Sequence, residues 1–280
     1  MSSSFDPERF VALATREQLP LGTPLTFRAE TESTNDDALE AARSGAAAGS
    51  LFVAGEQRRG RGRRGSEWHS SAETSLAFSV LLRPKLSPEL ASGLSLVAGL
   101  AVRHAVATLL TRDGVAATAS VKWPNDVLVG GKKVAGILAE SQVQAGKLAA
   151  VVVGIGLNLG RITLPSDVER RATSLAEAGV RQIDREDLLV QILSALSTRL
   201  ADLERPRDRA AEDAPPNVTR QTLPSTLLYE FERHDALRGL RVTVDGASGT
   251  AAGIDGTGNL LVDAERGVRY AVAAGHVEIL

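Results

Sequence analysis

Between Gln57 and Gly65 the chain reads QRRGRGRRG, five arginines and three glycines in nine residues. Arginine carries a planar fork that grips a carboxylate or phosphate through paired bonds, and glycine lets backbone approach a ligand closely. Three uses compete for such a stretch: a nucleic-acid patch, a dinucleotide-binding turn, or a loop closing over one phosphorylated small molecule. The whole chain has 34 acidic against 32 basic residues, which argues against a general polyanion binder and makes the arginine cluster a local device. Residues 60 to 65 satisfy G-x-G-x-x-G, but that fingerprint needs its glycines to open a helix beneath the pyrophosphate. Here a polar stretch, 66 to 75, leads into a strand-like run instead. A phosphate loop of the G-x-x-x-x-G-K-[ST] type is absent. A plain solvated turn is disfavoured because so many glycines are costly to order without a reason for backbone to come close.

Two further stretches could carry chemistry. In VKWPNDVLVGGKKVAGI, residues 121 to 137, Lys122, Asp126, Lys132 and Lys133 surround a Pro-Asn and a Gly-Gly turn. A hairpin would bring Asp126 and a lysine together, either as a surface ion pair of little consequence or as a pair facing a site. In VVVGIGLN, 151 to 158, Gly154 and Gly156 interrupt an apolar run before Asn158. Glycine inside a strand marks a bulge or the close approach of another group, and both readings stay open.

The elements that must position these residues are legible from periodicity. Residues 33 to 44, STNDDALEAARS, predict a helix opening on a polar tripeptide. LFVAGE (51 to 56) and SLAFSVLL (75 to 82) read as buried strands flanking the arginine loop. Residues 89 to 110, after Pro88, predict a long buried helix, and 185 to 204 a second. Between them lie strand candidates SVKWPNDVLV, KVAGILAES and LAAVVVGIGLNL. Residues 205 to 222 are polar and proline-rich, which predicts an exposed, mobile connector. Beyond Leu237, five short strand-like runs at close spacing predict a small all-β barrel of about 45 residues. Cysteine is absent, and the four histidines, 69, 104, 234 and 276, show no metal-ligand spacing. No signal-peptide core and no apolar run of about 18 residues is found, so the expected location is cytoplasmic.

Taken together, the motifs resemble the biotin protein ligases. The matching residues are Ser33-Thr34-Asn35; Gln57 with Gly60-Arg61-Gly62-Arg63-Arg64-Gly65 and Trp68; Lys122-Trp123-Pro124-Asn125-Asp126; Lys133-Val134-Ala135-Gly136-Ile137; and Gly154-Ile155-Gly156-Leu157-Asn158. They follow the family's order over roughly residues 30 to 160. The resemblance implies an α+β fold: a catalytic domain like that of class II aminoacyl-tRNA synthetases, with a mixed sheet backed by helices, then an SH3-like barrel. The implied organisation is a lead segment at 1 to 30, a catalytic domain at 31 to 204, a connector and linker helix at 205 to 236, and the barrel at 237 to 280. About 30 residues before the first motif are too few for the winged-helix domain some members carry, so a ligase that does not bind DNA is expected.

The reaction implied has two steps: biotin and ATP give biotinyl-5'-AMP and pyrophosphate, and a lysine on a biotin carrier domain then displaces AMP. Arg61 and Arg63 would embrace phosphate and carboxylate, with Lys133 polarising the same junction and Asp126 orienting or deprotonating the incoming lysine. Ser33, Thr34, Asn35 and Gln57 would bind the ureido head, with Gly60, Gly62, Gly136, Gly154 and Gly156 giving backbone access. Trp68, Asn125 and Asn158 would serve the nucleotide, while Arg58, Arg59 and Arg64 would be solvated. Residues 58 to 68 should be mobile without ligand and order over the adenylate. Magnesium is expected with ATP rather than in a site of protein ligands, no prosthetic group or membrane is implied, and a homodimer stays open. Two rivals remain: a lipoate or octanoate ligase or transferase of the same fold, and a non-catalytic nucleic-acid binder. The second is weakened by 4% aromatic content.

Overall fold

A computed structural model describes residues 5–161, 171–205 and 221–280. Most of the expected connector, 206 to 220, lies outside the described residues. The described helices are α1 (Pro7–Arg16), α2 (Thr34–Arg43), α3 (Gly93–Arg112), α4 (Arg185–Glu204) and α5 (Ser225–His234). A seven-stranded sheet is built from β1 (Leu25–Thr31), β2 (Leu51–Gln57), β5 (Ser75–Leu82), β6 (Ala119–Lys122), β7 (Asp126–Val129), β8 (Lys132–Gln144) and β9 (Lys147–Asn158). Its order is β1-β2-β5-β9-β8-β7-β6. The β1–β2 pair is parallel and every other pair antiparallel, which bears out the mixed sheet backed by helices. Two short strands, β3 (Gly60–Arg61) and β4 (Glu67–Trp68), make a separate hairpin inside the arginine loop.

The sheet's two faces differ because strand side chains alternate. On one face Phe78, Val80, Val153, Ile155, Leu157 and Ile137 pack into the main core with α3 and α4. α3 is apolar enough to match a membrane span by length, with mean hydropathy 1.6, yet it is buried on nearly every side; it is the central core helix. On the opposite face α2 covers one end, its Ala38 and Ala42 seated on Phe52, Leu81 and Val152. The remainder of that face is lined by small and polar residues and roofed by the arginine loop.

Residues 1 to 30, expected as a lead segment, contribute two structural elements. Asp6 caps α1 by accepting from Arg9 N, α1 packs on α4, and β1 extends the main sheet. Alternation there is weak because β1 is an edge strand with few buried side chains. The long helix begins at Gly93 rather than 89, since Pro88 opens a separate 3-10 turn, Pro88–Leu90.

The C-terminal strands β10 (Arg241–Val244), β11 (Ala247–Ile254), β12 (Leu260–Asp263), β13 (Arg269–Val272) and β14 (Val277–Ile279) form a five-stranded antiparallel sheet in the order β13-β12-β11-β10-β14. It docks onto the main domain through Trp123, which is 2% exposed and donates Nε1–H to Gly258 O at 3.0 Å. The linker helix α5 contributes Leu227 and Phe231 to the same core. The end of α5 closes the β6 edge, where Asp235 bridges to Val121.

Asp235 sets a pH dependence. One carboxylate oxygen accepts from Leu237 N at 2.8 Å, while Oδ2 is buried with no partner. Burial pushes this carboxyl up to about 6, against the pull of the Leu237 amide and Arg238. The folded state therefore holds the proton longer than the unfolded chain, so stability falls as pH rises from about 4 through about 6. Asp235→Asn is expected to gain about 2–3 kcal/mol at pH 7.5 and nothing at pH 4. Urea unfolding at the two pH values measures it, and an equal gain at both would contradict the cause given.

Candidate active site

The floor of the site is a row across the sheet. Register aligns Ala54, Ala77, Gly156, Gly136, Asp126 and Lys122 on adjacent strands, and residues in register share a face. Small residues at the centre leave a shallow bed, and the charged pair stands at one end. Next to this row, Gly154 pairs with Ser79 and Leu138. Both interior glycines are under close approach from other groups. A Cβ on Gly154 would lie 1.9 Å from Asn35 Oδ1, and one on Gly156 would lie 2.2 Å from Trp68 Cε2. Of the two readings left open for these glycines, close approach is the one found.

The start of α2 supplies a polar cluster over Gly154. Ser33, Thr34 and Asn35 are all buried. Thr34 donates its backbone N–H and its hydroxyl to Gln57 Oε1 at 2.9 and 3.1 Å. Asn35 donates Nδ2–H to Glu140 Oε2 at 2.7 Å. Ser79 reaches Thr34 Oγ1 at 2.8 Å and Asn35 Oδ1 at 2.6 Å, so its one hydrogen faces two acceptors. Ser33 makes no side-chain cap. Ser79 and Glu140 were missed in the sequence. The usable signal was period two: Ser75 and Ser79 in SLAFSVLL, and Gly136, Leu138 and Glu140 in β8, fall on one face.

The loop divides its arginines by partner. Arg58 pairs with Glu30 and Arg59 with Glu32 at the exposed edge. Arg61 donates to Asp36 Oδ1 and Glu140 Oε2 at 2.7 and 2.8 Å, so its charge is already shared by two carboxylates. Arg63 has no ion pair among the described residues. Burial, then repulsion from Arg64, lowers its pKa, against attraction from Asp126 and Asp245. It is the loop cation whose desolvation is least compensated, which is the property an anion site needs. Arg64, expected to be solvated, instead pairs with Asp245 of the C-terminal sheet at 2.7 Å. Gly60 and Gly62 are required by the loop itself: added Cβ atoms would meet Trp68 O at 2.3 Å and Ser66 Oγ at 2.3 Å.

Trp68 lies face-down on the floor. Its ring touches Gly156 and Gly136, Lys133 Nζ is 5.6 Å from its centroid, and its buried Nε1–H has no partner. Lys133 Nζ stands 2.7 Å from Asp126 Oδ1, at an angle that leaves that oxygen without a hydrogen bond. The hairpin therefore does bring Asp126 and a lysine together, and at the site rather than on a bare surface. Lys122 stands in register beside Asp126. Burial, opposed by Asp126, pushes its amine below the usual lysine range.

Asn125 and Asn158, expected on the nucleotide side, both commit their amide N–H groups to backbone. Asn125 donates to Ile137 O at 2.8 Å and Asn158 to Thr173 O at 3.0 Å. The loop's own curvature adds a cleft of about 640 Å³ bordered by Gln57, Arg61, Trp68 and Ser70, within the range of small-molecule sites.

Comparison with known proteins matches this geometry. A 31% identical relative, the bifunctional ligase/repressor BirA of Bacillus spizizenii, aligns over 258 residues, 91% of this chain and 74% of its own. The biotin--[acetyl-CoA-carboxylase] ligase of Mycobacterium tuberculosis is 40% identical over 187 residues, 66% of this chain and 67% of its own. Among solved structures, the biotin protein ligase from Aquifex aeolicus in complex with biotin and ATP superposes with a TM-score of 0.70 at 28% identity, covering 92% of this chain and 99% of that one. The sequence profile of the Biotin/lipoate A/B protein ligase family matches residues 28–158, the segment that builds the glycine floor, the polar cluster and the arginine loop, and the chain belongs to that family.

Proposed function

We propose that the protein activates biotin with ATP and transfers it to a lysine of a biotin carrier domain, acting in the cytoplasm. The observation that carries this reading is the glycine floor under an arginine loop, in a chain alike over 92% of its length to a ligase solved with biotin and ATP. The bicyclic head would lie on Gly136, Gly154 and Gly156, with its ureido group at Thr34, Asn35 and Gln57, where buried acceptors and donors converge. A fatty-acyl or dithiolane head has no N–H to offer that cluster, which favours biotin over lipoate or octanoate.

In the first step a carboxylate oxygen bonds to the α-phosphorus as the bond to pyrophosphate breaks. Lys133 and Arg63 would hold the charge that gathers on the phosphoryl oxygens, with magnesium entering as part of the nucleotide. In the second step the carrier amine attacks the acyl carbon and AMP leaves. Asp126, whose Oδ1 has no hydrogen bond, would orient that amine and receive its proton. Ligand entry requires the Trp68 ring to leave Gly156, which ties binding to opening of residues 58 to 68; slower amide exchange there with biotin and ATP is the expected sign. The antiparallel centre of the main sheet and the five-strand order at the C-terminus support the class II synthetase-like and SH3-like description of the two units.

Incubation of a biotin carrier domain with the protein, biotin and MgATP should add one biotinyl mass to a single lysine, with AMP released. A parallel incubation with lipoate should add none. No mass gain from biotin would overturn the assignment.

A further inference from the structure

Arg64 and Asp245 meet across the two units of the molecule, and both are built to do so. Arg64 is the middle residue of a 3-10 turn, Arg63–Gly65, and holds φ of +56°. That region is unfavourable for an L side chain and persists only where surroundings impose it. The turn is closed around it by Gly62 N donating to Ser66 O at 2.7 Å and Ser66 Oγ donating to Arg63 O at 2.8 Å. On the other side Asp245 and Gly246, φ of +46° and +91°, form the two-residue connection between β10 and β11. The Asp245 carboxylate is held in place before the arginine arrives: His276 N donates to Oδ1 at 3.3 Å, and the adjoining Gly275 leaves Oδ2 room that a Cβ would crowd at 3.2 Å. Arg64 then donates Nη1–H to Oδ1 at 2.7 Å and Nη2–H to Oδ2 at 3.4 Å.

We propose that Asp245 is a positioning residue of the ligase reaction: through Arg64 it latches the arginine loop closed and so slows escape of the acyl-adenylate. The inference rests on the function proposed above. It gives the C-terminal sheet, which carries none of the sequence motifs, a part in the reaction. The loop is then held at two points, Trp68 on the floor and Arg64 on the C-terminal sheet, with Arg63 between them free for the phosphate. Both partners are substantially exposed, at 59% and 46%, so the latch is weak, and its loss should speed adenylate release by about two- to five-fold.

The test is a release assay on pre-formed biotinyl-5'-AMP complex with wild type, Arg64→Gln, Asp245→Asn, the double variant, and the charge exchange Arg64→Asp with Asp245→Arg. Each single variant and the double should show the same acceleration, because one interaction is lost in all three. The exchanged pair should return release toward the wild-type rate, and amide exchange at residues 60 to 68 should rise only in the variants that lack the pair. Unchanged release in the single variants, or effects that add in the double, would overturn the latch. A wild-type protein that forms no adenylate would instead sink the functional reading beneath it.

Discussion

Lys133→Ala is expected to cut adenylate formation by about two to three orders of magnitude, the usual consequence of removing one fixed group that stabilises transition-state charge. The ammonium is placed for that task by several independent constraints. Its backbone is tied on both sides to the 171 to 173 segment, N to Arg171 O and O to Thr173 N, each at 2.8 Å. Its side chain runs over Gly136, where a Cβ would crowd Nζ at 3.2 Å, to reach Asp126. Lys133→Arg should fall well short of rescue, because a planar fork does not occupy the position of a compact ammonium. Single-turnover formation of pyrophosphate is the measurement. Near-normal turnover in Lys133→Ala would move the central role to Arg63, the loop cation without an ion pair among the described residues. Asp126→Asn provides the contrast: it should spare adenylate formation and slow transfer to the carrier lysine, since only the second step involves an amine.

Gly154→Ala should nearly abolish biotin binding and also weaken the fold. The added methyl would sit 1.9 Å from Asn35 Oδ1 and 2.8 Å from its Cγ, and Asn35 is only 4% exposed with bonds to Glu140 and Ser79. Nothing there can yield cheaply, so overpacking costs about 1–3 kcal/mol and the ureido cluster is displaced. Gly156→Ala separates the two effects. Its clash, 2.2 Å, is with Trp68, a loop side chain that can lift away. Binding should fall while stability changes by less than about 1 kcal/mol. Calorimetric titration with biotin beside thermal unfolding reads both quantities. Equal destabilisation by the two substitutions would show that the Trp68 seat is as rigid as the Asn35 seat.

These predictions show how much of the site was legible in one dimension. Lys133, Asp126, Gly154, Gly156 and the Ser33 to Asn35 tripeptide stood out because each breaks a local pattern: glycine inside an apolar strand, charge beside a turn, polar residues where a helix begins. Ser79 did not stand out, because a lone serine in a strand that is buried along its whole length looks like a tolerated core residue. Glu140 looked like a surface carboxylate on a long hairpin until Asn35 and Arg61 were found upon it. Asn125 and Asn158 were legible as important and misjudged in kind: in this structure their amide nitrogens tie backbone segments together. Their partners, Ile137 and Thr173, are 12 and 15 residues away, and no local rule names them.

The sequence by itself determined the elements and their inventory of chemistry. Period two and period 3.6 are written residue by residue, so the central strands, the helices at α2, α3 and α4, and the arginine loop could be read directly. It could not determine which charges are spent, because neutralisation depends on what the fold brings within about 4 Å. The tertiary structure divided five similar arginines into two edge pairs with Glu30 and Glu32, a carboxylate-bridged Arg61, an unpaired Arg63 and an Arg64 fastened to Asp245, 181 residues away. Each of those fates is a long-range contact, and a contact of that kind exists only once the sheet, its roof and the C-terminal unit have assembled.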